Sequence, residues 1–318
     1  MYTQTAFAAN LFAGQVAVVT GGGSGIGFAT AQLLHALGAQ VALLGRRPEV
    51  LAQAAAKIEG AEGMPAAGAP AAPSSGAVAG APASHGPRAA AGAYGATQGA
   101  RPAAEGRPSP RGEPPRVMVV PCDIREPSQV HSAVAAVLAQ WGRIDVLVNN
   151  AGGQFAAPAL AMGPRGFAAV VNNNLLGTYH MLREVAEVAF FPRARGVVVN
   201  VIMPLAQGTP LMAHSGAARA GVENLTRTLA IEWAAQHVRL NCLAPGVIQT
   251  DAMVKNYPSQ WVEAAREATL VKRLGTAREV ACGIVYLASP LAAFINGTTL
   301  VMDGGAQLDS SLYHLAGA

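Results

Sequence analysis

The sequence predicts an α/β fold in which one parallel β-sheet carries helices on both faces. Three observations predict it. Short apolar runs alternate with longer segments of helical periodicity along most of the chain. The first apolar run, Val16–Val19, leads directly into a glycine-rich turn at 20–27. The chain has 318 residues, 51% of them hydrophobic and 13% charged, so it can bury a large core. Together these features indicate a single-domain, doubly wound sheet of the Rossmann type.

Strand and helix segments alternate twice in the first part of the chain. The strand at 16–19 precedes a helix at 26–37, which Gly38 ends because glycine is favoured at a helix C-terminus. A second strand follows at 41–44 and a second helix at 49–59. This order is typical of a parallel sheet whose connections are helices.

Residues 61–115 interrupt the alternation. They consist mainly of Ala, Gly, Pro and Ser and contain no Leu, Ile or Phe. Such a segment buries too little apolar surface to offset the entropy lost on ordering. We predict a disordered surface insertion within one domain that spans 1–318. A partner-binding role for it is the less favoured alternative.

The alternation resumes after the insertion and continues to the end of the predicted sheet. Strands are predicted at 117–121, 145–149, 196–201, 239–244 and 299–302. Helices are predicted at 127–140, 167–189 and 215–235, and a mostly helical stretch covers 251–288. No second domain and no internal repeat is visible in this pattern.

Composition excludes several function classes. The formal net charge is +4 and no basic stripe is present, so a nucleic-acid partner is not expected. The three cysteines, Cys122, Cys242 and Cys282, are far apart and lack metal-ligand or disulfide spacing. We therefore expect reduced, mostly buried thiols and no metal site.

Targeting signals are not evident either. No apolar stretch reaches the roughly 18 residues that a membrane span needs. No Lys or Arg precedes Arg46, and the last four residues, Leu-Ala-Gly-Ala, differ from a peroxisomal Ser-Lys-Leu tail. We expect a soluble intracellular protein of the cytoplasm or the peroxisomal matrix.

The turn at 20–27 reads Thr-Gly-Gly-Gly-Ser-Gly-Ile-Gly and lies between the first strand and the first helix. Backbone N–H groups at a helix start bind a pyrophosphate, and glycine allows the close approach. A tight turn without a ligand is the alternative. The candidate cofactor residues here are Gly21, Ser24, Gly25, Ile26 and Gly27.

The end of the second strand indicates which dinucleotide binds. It reads Leu44-Gly45-Arg46-Arg47 and carries no carboxylate, which an NAD site would use for the ribose 2′-hydroxyl. Arginine suits a 2′-phosphate, so Arg46 favours NADPH. The alternative is that both arginines are solvated loop charges.

Motifs in a fixed order and spacing resemble the short-chain dehydrogenase/reductase family. They are the glycine turn at 20–27, Cys-Asp-Ile at 122–124, Asn-Asn-Ala-Gly at 149–152, Asn-Leu-Leu-Gly at 174–177, Asn-Cys-Leu-Ala-Pro-Gly at 241–246 and Asp-Gly-Gly at 303–305. The resemblance implies that cofactor contacts come from Asp123, Ile124, Asn150, Ala151, Gly152, Pro245, Gly246, Ile248 and Thr250. It also implies a homotetramer. The Asn-Asn-Ala-Gly run alternatively serves to tie strands together.

The acid–base residues depart from the family pattern. Most members use Ser, Tyr and Lys, and these positions fall on Met203, Ser215 and Arg219. Ser215 is too weak an acid to protonate an alkoxide, and arginine stays protonated and relays no proton. Ordinary ketone reduction is therefore not expected.

Reduction of an α,β-unsaturated thioester makes different demands. Hydride adds to the β-carbon, charge moves to the thioester oxygen, and the site needs hydrogen-bond donors aimed at that oxygen. The runs Gly-Gly-Gln-Phe at 152–155 and His-Ser-Gly-Ala-Ala-Arg-Ala-Gly-Val at 214–222 resemble the trans-2-enoyl-CoA reductase branch of the family, near the 2,4-dienoyl-CoA reductases. The resemblance implies NADPH-dependent reduction of a fatty enoyl-CoA.

Three residues carry the predicted chemistry. The resemblance implies that Ser215 donates a hydrogen bond to the thioester oxygen and that Arg219 bonds the nicotinamide ribose and supplies fixed positive charge. It also implies that Asn174 shapes its helix and orders water or the thioester oxygen. The alternatives are a helix cap for Ser215 and a surface ion pair for Arg219. Tyr179 and His214 are weaker candidates. Tyr179 could be a phenolic donor, but a packed aromatic is the preferred interpretation.

Other readings of the whole chain stay open. One is a 2,4-dienoyl-CoA reductase or another short-chain dehydrogenase, and one is a non-catalytic NADPH-binding protein. Basic residues at 251–274 either meet coenzyme A phosphates or form solvated helix faces. They are Lys255, Arg266, Lys272 and Arg273.

Overall fold

The computed structural model describes residues 7–60 and 115–308, all within one compact unit. The predicted insertion, except Pro115, lies outside the described residues. The predicted alternation is confirmed in the described ranges. The strands are β1 (Val16–Thr20), β2 (Gln40–Gly45), β3 (Val117–Pro121), β4 (Val146–Asn149), β5 (Gly196–Val201), β6 (Val238–Pro245), β7 (Ile248–Gln249), β8 (Gly275–Thr276) and β9 (Thr299–Met302).

The helices of the described ranges connect these strands. They are α1 (Gly25–Ala36), α2 (Pro48–Glu59), α3 (Pro127–Trp141), α4 (Pro164–Val171), α5 (Gly177–Val185), α6 (Ala213–Glu232), α7 (Asp251–Asn256), α8 (Ser259–Ala268) and α9 (Ala277–Ala288). None of them is both long enough and apolar enough to cross a membrane.

Within the described residues the main sheet has seven parallel strands in the order β3-β2-β1-β4-β5-β6-β9. The chain winds outward from β1 in one direction and from β4 in the other. The carboxyl ends of β1 and β4 therefore diverge into a crevice, where doubly wound sheets bind their ligands. A separate two-stranded ladder, β7 with β8, was not predicted.

Alternate residues of the central strands supply the two faces of the core. In β1, Ala17 and Val19 pack with side chains of α1, α2 and α9, whereas Val16 and Val18 pack with those of α3, α5 and α6. Because successive strand side chains point to opposite faces, each strand must be apolar throughout to bury both. This is why the strands were readable as continuous apolar runs.

The long helix predicted at 167–189 differs from the structure. It begins at Pro164 and has π-helical turns at Asn172–Leu176 and Ala186–Phe190. A π-turn inserts a residue and turns side chains relative to a regular helix. In the first of these turns it places Asn174 in the interior, against the backbone of Gly153.

A buried carboxylate links several elements by hydrogen bonds at the amino edge of the sheet. Asp145, just before β4, accepts hydrogen bonds from Arg143, from Arg193 and from the backbone N–H of Val16. Its side chain is 2% exposed. Burial alone would raise the pKa of Asp145, but these hydrogen bonds, first of all those from Arg143, hold it below its ordinary value.

Candidate active site

A cleft of about 350 Å³ lies at the carboxyl edge, over the divergence of β1 and β4. Many of the predicted cofactor residues line it: Gly21, Ser24, Gly25, Ile26, Arg46, Asp123, Ile124, Asn150, Ala151, Gly152 and Thr250. Sequence positions more than 200 residues apart therefore meet in one cleft. The predicted residues Gly27, Pro245, Gly246, Ile248 and Arg219 do not line it.

The glycine turn has the shape that a phosphate site needs. Gly21 and Gly25 have φ angles of +66° and +53°, which side chains disfavour. A Cβ on Gly27 would lie 2.3 Å from the carbonyl oxygen of Gly21, so only glycine permits this close packing. Ser24 begins α1 without a side-chain capping bond, which leaves N–H groups of the first turn open to an anion. These features fit the pyrophosphate of a dinucleotide.

The Asn-Asn-Ala-Gly run ties strands together, as the alternative interpretation stated, and also lines the cleft. The side chain of Asn150 donates to the carbonyl of Thr20 at 3.0 Å, and the backbone N–H groups of Asn150 and Ala151 donate to the Thr20 hydroxyl. Asn149 donates to Asn200 at 2.9 Å. The two functions share one segment, because the same turn joins β1 to β4 and faces the crevice.

Charge at the end of the cleft next to β2 is mostly positive. Arg46 and Arg47 are exposed there, directly after β2. Asp123 also faces the cleft but is held by Arg125. That hydrogen bond is the main cause that lowers the pKa of Asp123, and Arg46 contributes by charge. The carboxylate is thus already engaged by a cation.

The residues after β6 lie at the edge of the cleft. Thr250 lines it, and its hydroxyl accepts the N–H of Met253 to cap α7. Ile248 is buried against Gly275, and a Cβ on Gly246 would lie 2.7 Å from the Cα of Asp303. Ile248 and Gly246 therefore pack beneath the edge of the cleft and do not form part of its surface.

Ser215 lies fully buried in the first turn of α6 and is bonded to a residue from another element. Its hydroxyl donates to Oε1 of Gln154 at 2.7 Å and lies 3.9 Å from the sulfur of Met203. Helix α6 begins at Ala213, after Met212 as N-cap, so the alternative of Ser215 as a cap is wrong. The Ser215–Gln154 pair joins α6 to the loop that follows β4.

Arg219 is one turn further along α6 and is only 9% exposed. Its Nη1 donates to the carbonyl of Val201 at 2.8 Å. A Cβ on Gly152 would lie 2.1 Å from its Nη2. The guanidinium therefore reaches the cleft floor beneath Gly152, in space that only glycine leaves open.

The charge of Arg219 has no acidic neighbour in the part of the chain that the structure describes. The surface ion pair considered as an alternative is therefore wrong. Burial lowers the pKa of Arg219 to about 10, which still leaves the guanidinium charged at neutral pH. A buried cation without a counter-ion is costly unless a ligand compensates it.

Asn174 is fully buried beside this cation. Its Oδ1 accepts the N–H of Gly153 at 3.0 Å and its Nδ2 donates to the Gly153 carbonyl at 3.1 Å. A Cβ on Gly152 would also lie 3.3 Å from Asn174 Oδ1. Asn174 thus fixes the backbone at the cleft floor, next to Arg219.

The weaker candidates occupy different surroundings. Tyr179 is 43% exposed, so the packed aromatic that was preferred over a phenolic donor is not observed. Three of the basic residues at 251–274 have acidic partners: Arg266 with Glu263, Lys272 with Glu267, and Arg273 with Glu279. Such exposed pairs agree with solvated helix faces more than with a coenzyme A site.

A larger cavity, of about 510 Å³, is lined in part by the loop after β5, at residues 203–206. It contains none of the predicted cofactor residues. Its carboxylate, Glu223, is already bonded to Arg227 and to the Thr299 hydroxyl. We therefore place the chemistry in the smaller cleft, where the glycine turn lies.

Family comparison agrees with this geometry. A profile described as "Enoyl-(Acyl carrier protein) reductase" matches residues 77–307, and one described as "short chain dehydrogenase" matches residues 15–72. The chain belongs to the short-chain dehydrogenase/reductase family. It is therefore an oxidoreductase built to use a nicotinamide cofactor.

Individual relatives narrow the comparison. The chain is 32% identical to a peroxisomal 2,4-dienoyl-CoA reductase of Rattus norvegicus, over 94% of this chain and 86% of the relative. It is 36% identical to a probable 2,4-dienoyl-CoA reductase of Bacillus subtilis, over 59% of this chain and 75% of the relative. A solved citronellol catabolism dehydrogenase of Pseudomonas aeruginosa is 36% identical, with a TM-score of 0.71 over 95% and 99% of the two chains.

Gln154 is the site residue that sequence reasoning missed as a functional candidate. It occurs in the Gly-Gly-Gln-Phe run that supported the resemblance, but nothing local showed its partner. The partner, Ser215, is 61 residues away. A polar residue directly after the glycines of a cofactor loop was the available signal.

Proposed function

We propose that the chain reduces the trans-2 double bond of a fatty enoyl-CoA, with NADPH as the reductant. The observation that carries the proposal is the buried, uncompensated cation of Arg219 beneath the cleft floor. Such a cation stabilises negative charge that develops on a substrate oxygen. An enolate formed from a thioester has such a charge.

The lining of the cleft supports the same chemistry. Among the described residues that line it, there is no tyrosine, lysine or histidine. Ketone reduction needs an acid that protonates an alkoxide, whereas an enolate needs stabilisation first and takes its proton later at carbon. We infer that water protonates the α-carbon.

The proposal that the cofactor is NADPH rests on the end of the cleft next to β2, where the adenosine would bind. Arg46 and Arg47 are exposed there, and Asp123 is neutralised by Arg125. Guanidinium groups bind a phosphate by charge-assisted hydrogen bonds. Residues 44–47, where β2 ends, include no carboxylate that could accept a hydrogen bond from a ribose 2′-hydroxyl. When bound, NADPH supplies the hydride that reaches the β-carbon.

We assign the hydrogen bond to the thioester oxygen to the Ser215–Gln154 pair. A serine hydroxyl has one proton, and that of Ser215 is directed at Gln154 Oε1. This bond orients the amide, whose Nε2 donates to none of the described residues and remains free for the substrate. Ser215 thus acts through Gln154, and Asn174 and Arg219 hold the floor beneath them.

A second candidate is reduction of a 2,4-dienoyl-CoA. It is favoured by the relatives at 32% and 36% identity, whose names state that activity. The stabilised charge lies on the same thioester oxygen, so the same residues would serve both reactions. Only the position of the hydride in the acyl chain differs.

A substrate panel tests the proposed function. NADPH oxidation is followed with trans-2-decenoyl-CoA, 2,4-decadienoyl-CoA, a branched trans-2-enoyl-CoA and a simple ketone. The branched thioester is included because one solved relative is named for the catabolism of citronellol, a branched alcohol. Turnover of the monoene above the diene supports the proposal, and the reverse order supports the second candidate.

Two controls distinguish catalysis from cofactor binding without catalysis. Tyr179→Phe removes an exposed phenol and should leave turnover unchanged. NADPH binding without turnover of any thioester would show a cofactor-binding protein that has lost its chemistry. A homotetramer and a peroxisomal or cytoplasmic location stay predictions, to be checked by light scattering and by imaging of the tagged chain.

A further inference from the structure

His214 is a buried titratable residue that the proposed mechanism does not use. Its side chain is fully buried in the first turn of α6. Its Nδ1 accepts the backbone N–H of Ser215 at 2.7 Å. Its ring lies perpendicular to that of Phe155, with the ring centres 4.5 Å apart.

These contacts fall beside the Ser215–Gln154 hydrogen bond. Ser215 contacts Gln154, and the neighbouring residue of each, His214 and Phe155, contact one another. We name this double contact between 214–215 and 154–155 the clasp. It connects the start of α6 to the loop after β4 at the point where the proposed donor lies.

We infer that His214 is a positioning residue, which sets the direction of the Ser215 hydroxyl and through it the amide of Gln154. This inference rests on the proposed function, because that amide is the proposed donor to the thioester oxygen.

The helix start explains why Ser215 needs this acceptor. The first N–H groups of a helix have no acceptor within the helix, and Met212 provides no side-chain cap to α6. His214 Nδ1 is the acceptor for the backbone N–H of Ser215. This nitrogen accepts a hydrogen bond only when it carries no proton. The proton of the neutral ring is therefore on Nε2, which has no partner among the described residues.

Phe155 completes the arrangement from the other element. It is 44% exposed, so part of its ring faces solvent. A Cβ on Gly166 would lie 3.1 Å from its ring, which shows that the ring packs directly on the backbone of α4. His214 packs on Phe155 from α6. The residue next to Gln154 is thereby fixed between two helices.

Two substitutions separate the acceptor from the packing. His214→Asn keeps an acceptor near the place of Nδ1, and His214→Phe keeps a ring against Phe155 but removes the acceptor. We expect His214→Asn to keep kcat within about threefold, and His214→Phe to lower kcat roughly tenfold, as for a donor that is misaligned rather than lost. The KM for NADPH should not change in either variant, since neither His214 nor Phe155 lines the cofactor cleft.

His131→Phe is the matched control, because His131 is exposed on α3 and its one polar side-chain partner among the described residues is Glu184. It should leave kcat unchanged. Equal kcat in the Asn and Phe variants of His214 would overturn the inference. If the Phe variant lacks a cooperative unfolding transition, the smaller His214→Leu replaces it, with the same expectation.

Crystal structures of the variants keep the test independent of the proposed function. The distance from Ser215 Oγ to Gln154 Oε1 should stay near 2.7 Å in His214→Asn. It should open beyond about 3.5 Å, the limit of a hydrogen bond, in His214→Phe. An unchanged distance in the Phe variant would overturn the clasp. Absence of turnover in the wild type would overturn only the proposed function.

Discussion

The two edges of the sheet each bury an ionised side chain, but the two charges differ in their hydrogen-bond and ion-pair partners. At the amino edge, Asp145 is surrounded by Arg143, Arg193 and the N–H of Val16. At the carboxyl edge, Arg219 has one backbone carbonyl, from Val201, and no carboxylate among the described residues.

This difference distinguishes a scaffold from a site. A buried charge whose hydrogen bonds are all made holds strands together and has nothing left to offer a ligand. A buried charge without a counter-ion lowers stability and attracts a negative group. The amino edge therefore supports the fold, and we propose that the carboxyl edge stabilises negative charge that develops on the substrate.

The largest expected effect on the free energy of unfolding is at the amino edge. Asp145→Asn removes the negative charge between Arg143 and Arg193, and breaking a buried ion pair costs about 3–5 kcal/mol. Since both arginines are about one-third exposed, we expect about 3 kcal/mol, measured as the free energy of unfolding in urea. Glu187→Gln, in an exposed pair with Arg183, is the control and should change it by less than about 1 kcal/mol.

The stability contribution of Asp145 should depend on pH in one direction. Its pKa is lowered in the folded protein, so its contribution is present above the ordinary carboxyl pKa, near 3.9. It is lost as the pH falls through the lower, folded value. The difference between wild type and Asp145→Asn should be constant from about pH 5 to pH 8 and shrink below about pH 4. A difference that grows as the pH falls would contradict this assignment.

Arg219→Met should have the opposite effects to Asp145→Asn, with activity lowered and stability kept. Loss of a preorganised charge at the developing oxyanion lowers kcat by about 10²–10³-fold. The free energy of unfolding should stay equal or rise, because an uncompensated buried cation is replaced by an apolar side chain of similar length. Arg219→Lys keeps the charge and should lie between the two. Strong destabilisation with intact kcat would show that Arg219 belongs to the scaffold.

Gly152→Ala should move the cation rather than remove it. The added Cβ would lie 2.1 Å from Arg219 Nη2, so the guanidinium must shift. We expect kcat to fall about tenfold, as for a charge at the developing oxyanion that is misplaced rather than lost. Adding Arg219→Lys should restore part of kcat, because lysine has no second terminal nitrogen to clash. Failure of this rescue would show that the alanine acts through the cofactor instead.

The smallest effect concerns cofactor choice. Arg46→Ala should raise the KM for NADPH about tenfold, as expected for loss of a hydrogen bond to a charged group. The KM for NADH should change little, since NADH has no 2′-phosphate. Steady-state kinetics with both cofactors measures this. An equal rise for both would indicate that Arg46 contacts a group common to the two cofactors.

The sequence predicted what local patterns encode. The strands were readable because each is apolar on both faces, and the glycine turn because its spacing is fixed by the cofactor. The π-turn that buries Asn174 was not readable, since one inserted residue leaves the hydrophobic pattern nearly unchanged. The Ser215–Gln154 bond was missed because it joins residues 61 positions apart.

The burial of Arg219 was also not readable from the sequence. From the sequence, the site cation was the preferred interpretation of Arg219, but a surface ion pair was also compatible with an arginine on a helix. Only the packing of α6 against Gly152 and Val201 separates them. That packing depends on three elements that lie far apart in the chain.

The most direct test of the account is the fate of hydride from deuterated NADPH with trans-2-decenoyl-CoA. Mass spectrometry and NMR of the product locate the label. The account predicts a saturated thioester with deuterium at the β-carbon and a solvent-derived proton at the α-carbon. Thioester recovered without label, or turnover restricted to a ketone with label at the carbinol carbon, would contradict it.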